Sequence, residues 1–266
     1  MPFRFLLFPF SCYHLLVSMP FKQEQDPHEE LRERLRSARR VFVLTGAGVS
    51  AESGVPTFRG GGNAAVWKGL PFDVISSARM VEHDLPAVWE WFDYRRGVLE
   101  NCKPNPAHTT LARWQEVFPQ LTLVTQNVDG LHAAAGSREV LELHGNVWRA
   151  RCLSCAGRED IREKDDGVRP PVCRACGGVM RPDVVLFGEM LPMDVFALAA
   201  RRASECDVCV VVGTSAIVYP AADLPVAARR AGAYLVEVNP EETPLSEFCQ
   251  ATIRGFAGDI LPRLEF

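Results

Sequence analysis

The chain has 266 residues, of which 47% are hydrophobic and 23% charged, the proportions of an ordinary globular protein large enough for one substantial domain or two modest ones. A formal net charge of −4 supplies no broad basic field, which excludes nucleic acid as a specific partner. The nine cysteines, an odd number containing two closely matched C-x-x-C pairs, argue against a secreted disulfide scaffold and for metal binding in a reducing compartment.

Met1–Ser18 is apolar and aromatic, but it is too short and too broken by Pro9 to span a bilayer, and no small-residue cleavage pattern precedes Met19. Residues 1–26 are therefore expected to be a disordered tail or a mis-called start, with a targeting segment as the alternative. From Pro27 to Arg40, Leu31 and Leu35 recur among charges at helical spacing. Val41–Leu44 is an apolar, β-rich run ending in Thr45–Gly46, as in a buried parallel strand, and the pattern returns in Leu121–Val124, Val208–Val212 and Tyr234–Val238. Helical stretches lie between them at His108–Val117, Met193–Ala203 and Ala221–Ala231. This alternation predicts an α/β fold built on a doubly wound, Rossmann-like parallel sheet. Two segments break the alternation: 60–103, rich in helix formers and in Trp67, Trp89, Trp91 and Tyr94, and 149–181, which holds the cysteine pairs. They are expected to form a helical insertion and a smaller zinc-binding lobe, leaving 27–59, 104–148 and 182–266 as the Rossmann-like part of one domain over 27–266.

Gly46-Ala47-Gly48-Val49-Ser50-Ala51 satisfies G-x-G-x-x-A directly after a strand. Glycines there allow a tight turn and close backbone approach, with the next helix facing a pyrophosphate. A dehydrogenase would also need a carboxylate about 20 residues further on for the ribose, whereas Ala65, Val66, Trp67 and Lys68 stand there. The segment Pro56–Arg59 followed by Gly60–Gly62 reads instead as a loop over a cofactor, with Arg59 available to a phosphate or ribose. Cys152, Cys155, Cys173 and Cys176 form C-x2-C-x17-C-x2-C, a strong signal for one tetrahedral Zn2+. Four thiolates leave no position for water or substrate, so the metal is expected to be structural. Cys206 and Cys209 are read as packing residues that alternate across the sheet if the strand covers both.

Thr125-Gln126-Asn127-Val128-Asp129-Gly130-Leu131-His132 follows a strand end, where open α/β sheets bind ligands, and His144-Gly145 precedes the first cysteine pair. His108 and His132 receive a structural reading. Together with Gly46–Ser50, these motifs in this order resemble the sirtuins, NAD-consuming protein-lysine deacylases, and most of all their bacterial class III type; the likeness runs from about Leu31 to Leu261. The resemblance implies His144 as the catalytic base, with Asn127 and Asp129 completing the catalytic set and Gln126, Asn127 and Asp129 holding ribose and nicotinamide. It also implies NAD contacts at Gly46, Ala47, Gly48, Ser50, Glu52, Phe58, Arg59 and Val128, at Gly213-Thr214-Ser215, at Asn239-Pro240-Glu241 and at Ala257. An acyl-lysine protein substrate would add as an extended peptide along Phe187-Gly188-Glu189. The chemistry suits these residue types: the acyl oxygen is a weak nucleophile, so orientation must supply much of the rate. A base titrating near neutrality then draws a proton from the ribose hydroxyls.

Sirtuins that prefer acidic acyl groups carry Tyr-x-x-Arg where this chain has Phe92-Asp93-Tyr94-Arg95. Arg95 could pair with a succinyl or malonyl carboxylate, but Phe92 lacks the hydroxyl. The resemblance therefore implies deacetylation first and desuccinylation or demalonylation second. A protein mono-ADP-ribosyltransferase and a non-catalytic NAD-sensing module stay open as alternatives. The sequence sets no oligomeric state and is compatible with a monomer, no membrane partner is expected, and the free thiols point to the cytoplasm.

Overall fold

The computed structural model describes residues 26–56, 66–162 and 167–264. The tail Met1–Ser18, the loop Gly60–Gly62 and the expected cofactor contacts Phe58 and Arg59 lie outside them. In chain order the elements are α1 (Pro27–Ser37), β1 (Arg40–Thr45), a 3-10 helix (Ala47–Ser53), the short hairpin β2 (Val66–Trp67) and β3 (Leu70–Pro71), α2 (Phe72–Ile75), α3 (Ala78–His83), α4 (Leu85–Leu99), α5 (Pro106–Val117), β4 (Gln120–Thr125), α6 (Leu131–Ala134), β5 (Val140–Glu142), β6 (Gly145–Cys152), β7 (Arg158–Asp160), β8 (Met180–Val184), α7 (Met193–Glu205), β9 (Val208–Val212), α8 (Asp223–Arg230), β10 (Tyr234–Val238), β11 (Ala251–Ile253) and α9 (Ala257–Ile260).

Among the described residues six strands form the main sheet in the order β11-β10-β9-β1-β4-β5, and each neighbouring pair is parallel. Taken in chain order of these strands, this is the doubly wound 3-2-1-4-5-6 arrangement, whose ligand crevice opens where the order reverses, between the C-terminal ends of β1 and β9. Alternation along each strand feeds two cores. Val41, Val43, Val208, Val210 and Val212 pack under α1, α5 and the C-terminal helix. Phe42, Leu44, Cys209 and Val211 pack under α7 and α8. Both faces are thus covered, as a parallel sheet requires. Cys206 sits one residue before Asp207, outside β9, so it does not alternate with Cys209; both thiols enter the same core.

A second sheet, β7-β6-β8, is antiparallel and carries the cysteine pairs at its ends. The helical insertion packs on it through Trp89, which is fully buried beside Cys152, Cys173 and Met180 and donates its indole N–H to the Met180 carbonyl at 2.9 Å. The guanidinium groups of Arg96 and Arg169 lie 5.2 and 5.1 Å from the Trp89 ring. β8 buries Arg181 and Asp183. Their charges are met by ion pairs, Arg181 by Glu189 and Asp183 by Arg149 at 3.3 Å and Arg158 at 3.0 Å. A buried carboxylate needs such partners to stay ionised. Gly145, at φ +78, brings β6 so close to β8 that a Cβ would stand 2.1 Å from the Asp183 carbonyl oxygen. The second sheet is thereby anchored one residue after His144.

Candidate active site

The loops after β1 and β9 interlock at the crevice. A Cβ on Gly46 would come 2.7 Å from the Thr214 Cβ, and one on Gly48 would meet the Gly213 backbone at 2.7 Å. Gly213 is itself at φ +59 with Val49 N 2.5 Å from where its Cβ would be. The glycines are needed here for loop-against-loop approach as much as for any ligand. Gly46 leads into a seven-residue 3-10 helix, not the α-helix that the fingerprint suggests, and Gly54 closes it at φ +85. Glu52 at its end accepts the Gly258 N–H at 2.7 Å, tying this turn to Ala257 and α9.

Ser50 is fully buried and forms the centre of the site's hydrogen bonding. Its hydroxyl donates to Asp129 Oδ2 at 2.8 Å and accepts from Asn127 Nδ2 at 3.1 Å. His108 completes the set. Asn105 caps α5, and its own N–H donates to His108 Nδ1 at 3.3 Å, so the ring proton sits on Nε2 and points to Ser50 Oγ at 3.3 Å. Asn127 also donates to the Gly46 carbonyl at 3.1 Å. Asp129 Oδ1 accepts the Leu131 N–H at 2.9 Å. Burial lifts the Asp129 carboxyl above its ordinary value, and the bonds from Leu131 and Ser50 pull it back down.

His144, between β5 and β6, lies on the other side of this loop. Its Nδ1 is 2.7 Å from the Gln126 carbonyl oxygen. A carbonyl only accepts, so Nδ1 carries the proton and Nε2 keeps its lone pair, the tautomer a general base needs. Burial lowers the His144 pKa, while the Gln126 bond opposes that shift. Gln126 Nε2 reaches across the crevice to Thr214 Oγ1 at 2.8 Å, and Asn239 Nδ2 bonds the Thr214 carbonyl at 2.8 Å. One hydrogen-bonded lattice thus joins residues after β1, β4, β9 and β10.

Other expected positions stand differently. Phe92 is a core residue, packed with Val55, Ile75, Trp91 and Leu131. Arg95 is half-buried, its guanidinium 5.7 Å from the Trp91 ring. Burial lowers its pKa, and interactions with Tyr94 and then Asp129 oppose that shift. Phe187 is exposed, but its N–H and C=O are both used, by the Ser76 carbonyl at 2.9 Å and the Ala78 N–H at 3.0 Å. The Glu189 carboxylate turns inward to Arg181 and to the Leu186 N–H at 2.9 Å. Ser215 is half-buried at the crevice, and Pro240 and Glu241 are exposed beyond the end of β10.

Two histidines given a structural reading lie beside this network. His108 and His132 lie 4.9 Å apart ring to ring, and burial pushes them down to about 4 and about 3. His132 Nε2 is 2.9 Å from Thr45 Oγ1, which bonds Thr125 Oγ1 at 2.9 Å. The Asn105-Pro106-Ala107-His108 capping box was the local signal that could have raised His108 above a structural reading.

The four sulfur atoms of Cys152, Cys155, Cys173 and Cys176 all lie within 4.8 Å of one another. Two of the separations, Cys152–Cys176 and Cys155–Cys173, are 3.6 and 3.7 Å. A tetrahedron of Zn–S bonds of about 2.3 Å has S–S edges of roughly 3.8 Å, so the four cysteines are positioned to bind one zinc ion. Among the described residues no helix is long and apolar enough to cross a membrane.

The Sir2 family model matches residues 46–220. An NAD-dependent protein deacylase of Thermus thermophilus is 48% identical over 231 residues, covering 85% of this chain and 89% of its own. The NAD-dependent protein deacylase 2 of Pyrobaculum aerophilum is 46% identical over 230 residues, covering 86% and 91%. Among solved structures, a Sir2 homolog–NAD complex superposes with a TM-score of 0.82 at 40% identity, covering 89% of this chain and 91% of that one. A mutant Sir2 homologue with 2′-O-acetyl ADP-ribose gives 0.80 at 40% identity, covering 89% and 94%. A Sir2–p53 peptide–NAD+ complex gives 0.78 at 32% identity, covering 89% and 96%. With its doubly wound sheet, cysteine lobe and interlocked crevice, the chain belongs to the Sir2, or sirtuin, family.

Proposed function

We propose that this protein is an NAD+-dependent protein-lysine deacylase that releases nicotinamide and passes the acyl group to ADP-ribose. The observation that carries the reading is His144, its Nδ1 proton held by the Gln126 carbonyl, beside the loop whose Asn127 and Asp129 are both hydrogen-bonded to Ser50. Cleaving the nicotinamide–ribose bond develops positive charge at the ribose, which the buried Asp129 carboxylate is suited to face. Asn127 and Gln126 offer amides to ribose and carboxamide, while His144 Nε2 accepts the ribose hydroxyl proton that lets the oxygen attack the acyl carbon. Gly46, Ala47, Gly48, Gly213, Thr214 and Ser215 would lie against the phosphates, and Asn239, Pro240, Glu241 and Ala257 towards the adenosine. Zinc held by the four cysteines would be structural and take no part in the reaction.

An extended acyl-lysine peptide would run past Gly188. It would find its backbone partners from there onward, because Phe187 is already paired with residues 76 and 78. Arg95, half-buried on α4 with its guanidinium 5.7 Å from the Trp91 ring, is the residue we assign to a second activity on succinyl- or malonyl-lysine. A reducing compartment such as the cytoplasm suits four metal-binding thiolates.

The test is incubation with NAD+ and matched acetyl-lysine and succinyl-lysine peptides, with products identified by mass spectrometry. Deacylated peptide, nicotinamide and O-acyl-ADP-ribose in equal amounts are expected, and His144→Ala should abolish deacylated peptide and O-acyl-ADP-ribose and hold nicotinamide to at most one equivalent per enzyme while NAD+ still binds. Accumulation of ADP-ribosylated protein without deacylation would replace the reading by a transferase. Binding of NAD+ without nicotinamide release would replace it by a sensing module.

A further inference from the structure

Asp129 is held at both ends of its residue. Its carboxylate is fixed by Ser50 and by the Leu131 N–H, and its main-chain carbonyl accepts the indole N–H of Trp148 at 2.7 Å. The indole also covers the next residue. A Cβ on Gly130, which is at φ +78, would stand 3.0 Å from Trp148 Cδ1 and 3.3 Å from its Nε1. The Asp129–Gly130 turn is therefore packed against the Cδ1–Nε1 edge of the indole as well as hydrogen-bonded to it.

Trp148 is itself fixed from the zinc-lobe side. Its N–H bonds Asn146 Oδ1 at 2.9 Å, and its carbonyl accepts the Ile161 N–H at 3.0 Å. The Arg162 guanidinium, paired with Asp160 at 2.6 Å, lies 5.7 Å from the indole ring. One residue earlier, the Val147 N–H bonds the Val128 carbonyl at 2.9 Å, and the Val147 carbonyl accepts from Arg96 at 2.9 Å. Residues 146–148 thus join the Asn127–Asp129 turn to the strand that begins right after His144.

We propose that Trp148 is a positioning residue for the reaction: its indole N–H sets the Asp129–Gly130 turn, and with it the carboxylate that faces the ribose, and it registers that turn against the zinc-binding sheet. The inference rests on the deacylase reading above. Trp148 makes none of the hydrogen bonds that Ser50 shares with Asn127, Asp129 and His108, so it acts on the carboxylate through the Asp129–Gly130 backbone. A small error in the placement of a reacting group is enough to slow a reaction that relies on orientation.

The test is Trp148→Phe, which keeps an aromatic ring against Gly130 and beside Arg162 but removes the N–H. Steady-state constants for NAD+ and for an acetyl-lysine peptide are measured together with zinc content, melting temperature and the calorimetric Kd for NAD+. The expected result is one zinc per chain, near wild-type melting, and kcat/KM for NAD+ reduced on the order of fivefold to tenfold, the effect of losing one hydrogen bond of ordinary net strength. The peptide KM stays within twofold. Constants for NAD+ within twofold of wild type would overturn the proposal. So would a loss shared equally by the peptide KM, zinc content and melting temperature, which is the signature of a structural residue alone. Should the phenylalanine variant not fold, 3-benzothienylalanine incorporated at position 148, which puts sulfur in place of the indole N–H and keeps the ring outline, supplies the same comparison. A wild type that releases no nicotinamide would sink the deacylase reading instead, and the NAD+ Kd would then decide on Trp148 by the same twofold criterion.

Discussion

Replacing Ser50 by alanine removes a single oxygen from a fully buried position and strands three partners at once. Asp129 Oδ2 loses a 2.8 Å donor, and Asn127 Nδ2 and His108 Nε2 lose acceptors at 3.1 and 3.3 Å. A hydrogen bond to a charged group contributes about 1.5–3 kcal/mol, which corresponds to about 10- to 150-fold in kcat/KM for NAD+ if Asp129 acts on the ribose. The sign of the accompanying pH effect follows from the balance at Asp129. Burial raises its pKa, and the Leu131 and Ser50 bonds lower it, so deleting Ser50 leaves burial less opposed and the carboxyl titrates higher. If the ionised form is needed, activity is then lost at a higher pH as the solution is acidified. The assay is kcat/KM for NAD+ from about pH 5.5 to 8.5 at saturating acetyl-lysine peptide, with thermal unfolding as the control for folding. A folded variant with wild-type kcat/KM and an unmoved acid limb would refute the assignment of Ser50 as the residue that orients Asp129.

Cys152→Ala should abolish zinc binding and cost about 4 kcal/mol or more of stability, read by metal analysis and denaturant unfolding; a stable, merely slower enzyme would contradict a closed structural site. Acidification should destabilise the fold through His108 and His132, whose pKa values lie near 4 and 3 against 6.5 unfolded. The unfolded chain binds the extra protons, so stability is complete above pH 6.5 and falls by roughly 4 kcal/mol from pH 7 to pH 5, and His132→Gln should flatten that slope. A flat unfolding free energy over that range would remove the buried neutral histidines from the account. Arg95→Met should lower turnover of succinyl-lysine peptide about 10- to 150-fold relative to acetyl-lysine peptide. An equal loss on both would place the role of Arg95 with Asp129 and not with the acyl group.

The strands at Val208–Val212 and Tyr234–Val238 were readable at their observed bounds because a parallel strand covered on both faces is apolar at every position. β8 was not, and for the converse reason. Met-Arg-Pro-Asp-Val has no β-like pattern, and its Arg181 and Asp183 are buried only because Glu189, Arg149 and Arg158 arrive from other segments. The 3-10 helix after Gly46 was likewise hidden, since it is imposed by the approach of Gly213 from 165 positions further along the chain. Local pattern reports burial and turn chemistry; it does not report which distant backbone will press on a loop.

The same division runs through the site. Residues recognisable in sequence are those whose chemistry is local to a motif: the four cysteines at ligand spacing, Asn127 and Asp129 at a strand end, and His144 beside the glycine that lets β6 meet β8. The residues that tune them come from elsewhere. His108 reaches Ser50 across 58 positions, and Trp148 reaches the Asp129 carbonyl from β6. A lone histidine after an N-cap asparagine is by composition a structural residue. It remains one here in the sense that burial keeps it neutral, yet that neutrality is what makes its Nε2–H a fixed donor to Ser50. In this fold the distinction between a structural and a functional histidine is therefore one of connection: burial keeps His108 neutral, the Asn105 N–H on Nδ1 places its one ring proton on Nε2, and that proton orients the serine holding Asp129.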